Sequence, residues 1–316
     1  MPELRDDPLP GELVLLAPSR AARPHTTARP GPSATDAGPA SCPFCPGHEA
    51  ETPPEVARVG GGAPDGPGWR LRAFPNLYPI VGGPDAGPGA TGAHEVVVLS
   101  PDHDRDVARL SEGAAGEVFE LLRARSRALA EAGHAYVQVS VNHGRAAGAS
   151  IAHPHAQVLA LDFVPPAVSA AVARFATADT DLVDADQARA ENLGAVVVAH
   201  GDTRAWCAAA SSGPFEVRVA SRAARARFAE TRDGELHAVA ATVRDVLGRL
   251  AEVLGQPAYN VVVYDAPTAG GEPYHWWVRV VPRLQVPAGF ELGTGLQVET
   301  VDPPAAAAAL RARGAG

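Results

Sequence analysis

One succession of elements is written twice along this chain. Residues 110–132 carry Val118, Leu121, Leu122 and Leu129 near one helical face, with Ser111 placed to cap the helix. Val137, Val139 and Val141 then alternate along a strand, a small-residue loop follows, and a second strand is headed by His153-Pro154-His155-Ala156-Gln157. The order returns downstream. A helix over 236–254 sets Val243, Val246, Leu247, Leu250 and Leu254 on one side, a strand covers 259–264, and another begins at His275-Trp276-Trp277-Val278-Arg279. This repeat predicts an α+β chain of two tandem halves, 1–166 and 192–316, joined by a linker with some helix over 167–191. Trp277 stands in the second copy where His155 stands in the first. A duplicated fold with one working copy is therefore expected, the second half supplying pocket walls and domain or dimer contacts.

His153 and His155 lie two apart on a strand, so both side chains point the same way, and Pro154 stiffens the bend between them. Two imidazoles held close suit metal binding or catalysis, although a pair of satisfied histidines would leave the same trace. Before that strand, Asn142-His143-Gly144-Arg145-Ala146-Ala147-Gly148-Ala149-Ser150 is a loop whose small residues let backbone amides approach an anion, or a plain turn. Arg20 and Arg23 follow a short strand within 11–18; such arginines are solvated or bind phosphate in a bidentate way. Further strands are expected within 69–79, 93–100, 195–199, 204–209 and 213–220.

Cys42-Pro43-Phe44-Cys45 has three readings. A redox dithiol would open a helix after a buried strand, whereas both flanks here are Pro-rich. Haem attachment needs His directly after the second cysteine, where Pro46 stands. The third reading is half of a zinc site, two thiolates on a tight knuckle awaiting two further ligands.

Composition narrows the chemistry. A net charge of -9 argues against a nucleic-acid partner, because affinity for polyphosphate chains comes from clustered cations. No lysine occurs, which removes Schiff-base chemistry and any P-loop lysine. No apolar run is long enough to span a bilayer and the first residues do not read as a signal peptide, so a cytoplasmic protein without a membrane partner is expected.

Taken together, Asp7-Pro8, Gly11-Glu12, Cys42-Pro43-Phe44-Cys45, Asn76-Leu77-Tyr78-Pro79, Ser100-Pro101-Asp102-His103, Asn142-His143-Gly144 and Gly148-Ala149-Ser150 leading into His153-Pro154-His155-Ala156-Gln157 resemble the galactose-1-phosphate uridylyltransferase family of the histidine triad superfamily. The wording of 42–49, the Asn76 turn and Gly289-Phe290-Glu291-Leu292-Gly293-Thr294-Gly295 are similar to its nucleotide-sugar (ADP-glucose) phosphorylase branch. The resemblance implies two tandem histidine-triad-like halves, each an antiparallel sheet with a packed helix. It implies that His155 is the nucleophile of a ping-pong nucleotidyl transfer between a nucleotide sugar and a sugar 1-phosphate, forming a nucleotidyl-histidine. Gln157 would bind the phosphoryl oxygens, Ser150, Asn142 and the loop amides at Gly148 would stabilise charge, and Arg20, Arg23 and Asn76 would contact the substrate. Cys42, Cys45, His103 and His153 would hold a structural zinc. No second Cys-x-x-Cys exists, so one metal per chain is expected. A homodimer is implied as well. The leading reading is UDP-glucose–hexose-1-phosphate uridylyltransferase, the runner-up an ADP-sugar phosphorylase using phosphate, and from another class a zinc-stabilised nucleotide-binding module without turnover.

Overall fold

Ser111 caps the first long helix as its sequence predicts: its hydroxyl accepts from the amide of Ala114, and α1 runs over Glu112–Glu131. The computed structural model describes residues 3–16, 38–83, 87, 89–271 and 273–313. Among these, ten strands form one antiparallel sheet. In chain order they are β3 (Ala57–Gly60), β4 (Trp69–Pro75), β5 (Gly92–Val98), β6 (Tyr136–His143), β7 (His155–Leu161), β8 (Val196–His200), β9 (Thr203–Trp206), β10 (Val217–Ser221), β11 (Tyr259–Tyr264) and β12 (Trp277–Pro282). Their spatial order, β3-β4-β5-β7-β6-β11-β12-β10-β9-β8, is the same five-strand arrangement met from either edge.

The two copies meet where β6 pairs with β11, with Asn142 opposite Asn260 and Val141 opposite Val261. Period-two alternation decides what each face carries. Val97, Val139, Val141, Val158, Val261, Val263, Val278 and Val280 lie in a single core. α1 and α4 (Asp233–Leu254), buried along Val118, Leu121, Leu122 and Val243, Val246, Leu247, Leu250, belong to the same core. The two helices also touch each other, so each copy has its helix and the pair share one layer. This bears out the α+β reading.

Residues 167–191, read as a linker with some helix, form most of α2 (Pro166–Thr177) and α3 (Leu182–Leu193). A small second sheet joins both ends of the chain: β1 (Glu3–Asp6) and β2 (Leu13–Leu16) form a hairpin, and β13 (Gln297–Glu299) adds to β2 in parallel. α5 (Gly289–Thr294) precedes β13 and α6 (Pro303–Arg311) follows it. Among the described residues no helix is long and apolar enough to cross a membrane.

Candidate active site

β6 and β7 are neighbours, with Ser140 opposite Gln157 and Val141 opposite Ala156, so the residues between β6 and β7 cross the end of the sheet at the histidines. His155 opens β7 and is 5% exposed. Its Nδ1 lies 2.8 Å from the carbonyl of His153. A carbonyl only accepts, so Nδ1 carries the proton and Nε2 keeps its lone pair. Burial lowers the pKa of this ring, outweighing the His153 carbonyl that favours the proton. The result is a neutral imidazole with one nucleophilic nitrogen.

His153 is wholly buried and turned the other way. Its Nε2 donates to the carbonyl of Ser100 at 2.8 Å, which leaves Nδ1 unprotonated. That nitrogen lies 3.7 Å from Cys42 Sγ and 3.5 Å from Cys45 Sγ, and His103 Nδ1 is 3.3 Å from Cys45 Sγ. The four donor atoms all lie within 4.8 Å of one another. Zinc with bonds of about 2.3 Å to sulfur and about 2.0 Å to nitrogen has tetrahedral S···N edges of roughly 3.6 Å, so the cluster has the size of a Cys2His2 metal site. Burial, with Cys42 beside it, pushes the Cys45 thiol up to about 12 when no cation is present, so thiolates in this pocket call for one.

The knuckle reaches His155 directly. Phe44, between the two cysteines, sets its ring edge-on to His155 at 5.2 Å and against Phe74 at 5.5 Å. Cys42, Phe44, Cys45, Trp69, Phe74, Val96 and Val98 form a core of their own beneath that ring.

The other residues expected at the site fall unevenly. Gln157 faces His94, and Asn142 Oδ1 accepts from Asn260 Nδ2 at 2.7 Å, which turns the Asn142 amide hydrogens away from Asn260. Asn76 shapes a turn, its Oδ1 accepting from Tyr78 N at 2.9 Å. Ser150 is exposed, and Gly148 adopts φ 89°, a left-handed conformation that side chains rarely take. Three amides of the 143–149 loop follow the plain-turn alternative. Ala147 and Ala149 donate to the Gly144 carbonyl and Gly148 to that of Arg145, so these three are engaged inside the loop. Arg20 and Arg23 lie outside the described residues. His94, Phe44 and Asn260 were not singled out from the sequence. The cue for Phe44 was its place inside the Cys-x-x-Cys, whereas His94 and Asn260 reach the site only through sheet pairing.

The family model for the galactose-1-phosphate uridyl transferase N-terminal domain matches residues 87–165. An ADP-glucose phosphorylase of Arabidopsis thaliana is 31% identical over 328 residues, covering 98% of this chain and 92% of that protein. The chain belongs to the galactose-1-phosphate uridylyltransferase family, in the branch of ADP-glucose phosphorylase. A second relative, the galactose-1-phosphate uridylyltransferase of Streptomyces lividans, is 30% identical over 69% of this chain and 55% of its own length. Among solved structures, an ADP-glucose phosphorylase from Arabidopsis thaliana with bound ADP-glucose superposes with a TM-score of 0.83 at 28% identity, covering 98% of this chain and 99% of that one. A uridylyltransferase gives 0.73 at 26%, covering 99% and 98%. This uridylyltransferase-family chain is thus a nucleotidyl-transferring enzyme.

Its second half keeps the frame and changes the contents. His275 Nε2 donates to the carbonyl of Ser221 at 2.8 Å, as His153 does to Ser100, but its Nδ1 meets both carboxylate oxygens of Asp181 at 3.1 Å. Asp181, Asp184 and His275 lie close enough to hold an ion, and the two carboxylates had no signal in the sequence. Asp181 already caps α3 through Val183 and Asp184 amides. Trp277, in the place of His155, stacks on Tyr264 at 4.1 Å. Arg279, in the place of Gln157, pairs with Glu216 at 2.9 Å and Glu12 at 3.4 Å.

Proposed function

We propose that the protein is an ADP-sugar phosphorylase working through His155. The order of the two readings drawn from the sequence is thereby reversed. The observation that carries the choice is coverage: similarity to an ADP-glucose phosphorylase extends over 98% of this chain, while the Streptomyces uridylyltransferase matches 69% of it.

The buried neutral ring of His155 supports the first step. Nε2 attacks the α-phosphorus of ADP-glucose, the phosphorus–oxygen bond of the pyrophosphate breaks, and glucose 1-phosphate leaves with the electron pair. A phosphorylated leaving group needs little help from an acid. In the second step an oxygen of inorganic phosphate attacks the same phosphorus, the phosphorus–nitrogen bond breaks, and ADP is released with His155 neutral again. Gln157 and Asn142 would direct amide hydrogens at the transferring phosphoryl group, with Ser150 and Gly148 at the loop beside it and Arg20, Arg23 and Asn76 as substrate contacts.

Cys42, Cys45, His103 and His153 would hold zinc, a closed set whose metal supplies rigidity. Through the His153 carbonyl and Phe44 that rigidity reaches His155. The same reading carries a working half over 1–166, a second half over 192–316, a homodimer and a cytoplasmic location.

The deciding measurement is intact mass after brief exposure to ADP-glucose or UDP-glucose without acceptor, beside His155→Ala. An AMP adduct on the wild type alone, discharged by inorganic phosphate, is the expected result. A UMP adduct would restore the uridylyltransferase reading. No adduct from either donor on folded, metal-loaded protein would leave a binding module.

A further inference from the structure

His94, the third residue of β5, is 6% exposed and touches two parts of the site at once. The amide of Ile80 donates to its Nδ1 at 3.3 Å, so Nδ1 is the acceptor and Nε2 carries the hydrogen. That hydrogen points at Gln157 Oε1, 3.1 Å away. Asn76 Nδ2 also lies 3.1 Å from Nε2, but with the hydrogen on Nε2 two donors meet there and no bond forms; Asn76 is tied to His94 through its own amide, which donates to the His94 carbonyl at 2.7 Å. Burial lowers the pKa of His94 despite the bond to Gln157, which favours the neutral ring that this pattern requires.

A glutamine amide is nearly symmetric in shape and opposite in function at its two ends. Turned one way it offers hydrogens to an anionic phosphoryl oxygen; turned the other way it presents a carbonyl that repels it. His94 removes the choice by holding Oε1. The second half repeats this device with the polarity inverted. Val96 pairs with Gln157 and Arg218 with Arg279, so Glu216, two residues before Arg218, stands where His94 stands before Val96. Glu216 holds Arg279 at 2.9 Å, as His94 holds Gln157. In both halves the third residue of the histidine-headed strand is oriented by the same place on the neighbouring strand.

We propose that His94 is a positioning residue for nucleotidyl transfer, which fixes Gln157 with its amide hydrogens toward the phosphoryl group and ties the turn from Asn76 to Ile80 to the same strand. This rests on the nucleotidyl-transfer reading of His155. The experiment is single-turnover adduct formation from ADP-glucose, using the full metal-loaded chain, for wild type, Gln157→Ala, His94→Phe and the double variant. Removing a preorganised donor typically slows such a step by about 10²-fold. His94→Phe should approach the loss seen in Gln157→Ala, and the double variant should be no slower than the slower single, since the two residues act as one unit. His94→Gln, which keeps an amide donor at similar reach, should recover to within about tenfold of wild type.

A role in packing alone would make the losses of His94→Phe and Gln157→Ala multiply, and would leave His94→Gln as slow as His94→Phe; either result overturns the proposal. Should His94→Phe not fold, the cycle is run with His94→Gln, whose loss must likewise fail to multiply with that of Gln157→Ala. A wild type that forms no adduct with ADP-glucose or UDP-glucose fails the reading of His155 instead, so the two failures are told apart by that control.

Discussion

His153 and His275 occupy matching places in the two halves, each giving its Nε2 hydrogen to a serine carbonyl, Ser100 and Ser221, at 2.8 Å. What faces the other ring nitrogen separates them. In the first half it is a pair of cysteines, with the neutral ring of His155 beyond and the amides of Gln157 and Asn142 held at one end. In the second half it is a carboxylate, with Trp277 stacked on Tyr264 beyond and Arg279 fixed between Glu216, Glu12 and the Tyr264 hydroxyl. One backbone frame thus serves two purposes. The first half carries neutral amides and imidazoles at these positions, the second an ion-paired arginine and a stacked tryptophan.

The sharpest way to break this contrast is to exchange the losses. His155→Ala should abolish the nucleotide adduct altogether while moving the denaturant midpoint little. Trp277→Ala should cost about 3–5 kcal/mol of stability, the usual range for a buried Trp, with the surviving folded fraction still forming adduct. Intact mass and urea unfolding on the same two proteins read both quantities. An adduct lost equally in both variants would mean that the halves are not divided in this way.

Arg279→Gln puts the neutral residue of the first half into the second. Glu216, buried and also beside Arg218, would lose its closest cation, and breaking a buried pair from one side costs about 3–5 kcal/mol. Gln157→Ala should stay under about 1 kcal/mol in the same assay, because it is half-buried and no charge is stranded.

Metal content sharpens the comparison at its root. We expect one equivalent of zinc per chain, lost in Cys45→Ser and unchanged in Asp181→Asn, as read by native mass spectrometry. Adduct formation in Cys45→Ser should fall by about 10–100-fold, since the knuckle orients the nucleophile and does not touch the phosphorus. Two equivalents in the wild type, one of them lost in Asp181→Asn, would make the halves alike after all.

The succession of helix, strand and histidine-headed strand was legible in both copies because it rests on local periodicity, and Ser111 and the Cys-x-x-Cys are local signals of the same kind. What stayed hidden depends on pairing across long separations. Nothing in the chain announces that β6 meets β11, so the Asn142–Asn260 contact was invisible, as was His94 beside Gln157, 63 residues away. Alternation along Val217-Arg218-Val219 points Arg218 toward solvent. The structure buries it completely, because Asp7 from the β1–β2 hairpin and Asp186 from α3 arrive to pair with it. The loop over 143–149 was legible only as two alternatives, because small residues permit both an open loop and a tight turn, and the amides of Ala147, Gly148 and Ala149 are used inside a turn.

The smallest expected effect is a difference in how the halves respond to acid. Burial depresses the pKa of His94, His143 and His155, all in the first half. A histidine held below its unfolded value of about 6.5 binds its proton more readily in the unfolded chain. The stability it contributes is therefore present above about pH 6.5 and is lost as pH falls below it. In the second half, burial would raise Asp181, but the hydrogen bond and charge attraction of His275 and the amides of Asp184 and Val183 together outweigh it and hold the carboxyl below the usual range, so that contribution survives until pH falls past about 4. Unfolding free energy measured from pH 8 to pH 4 should decline first between pH 6.5 and 5, and His155→Gln should make that decline shallower without altering the later one. Adduct formation should hold level from pH 8 down to the same upper window, since His155 is deprotonated throughout it. A rate already falling between pH 8 and 7 would mean that the ring is protonated at neutral pH, and the distinction between an uncharged His155–Gln157 site and the ion-paired Arg279 in the matching place would be lost.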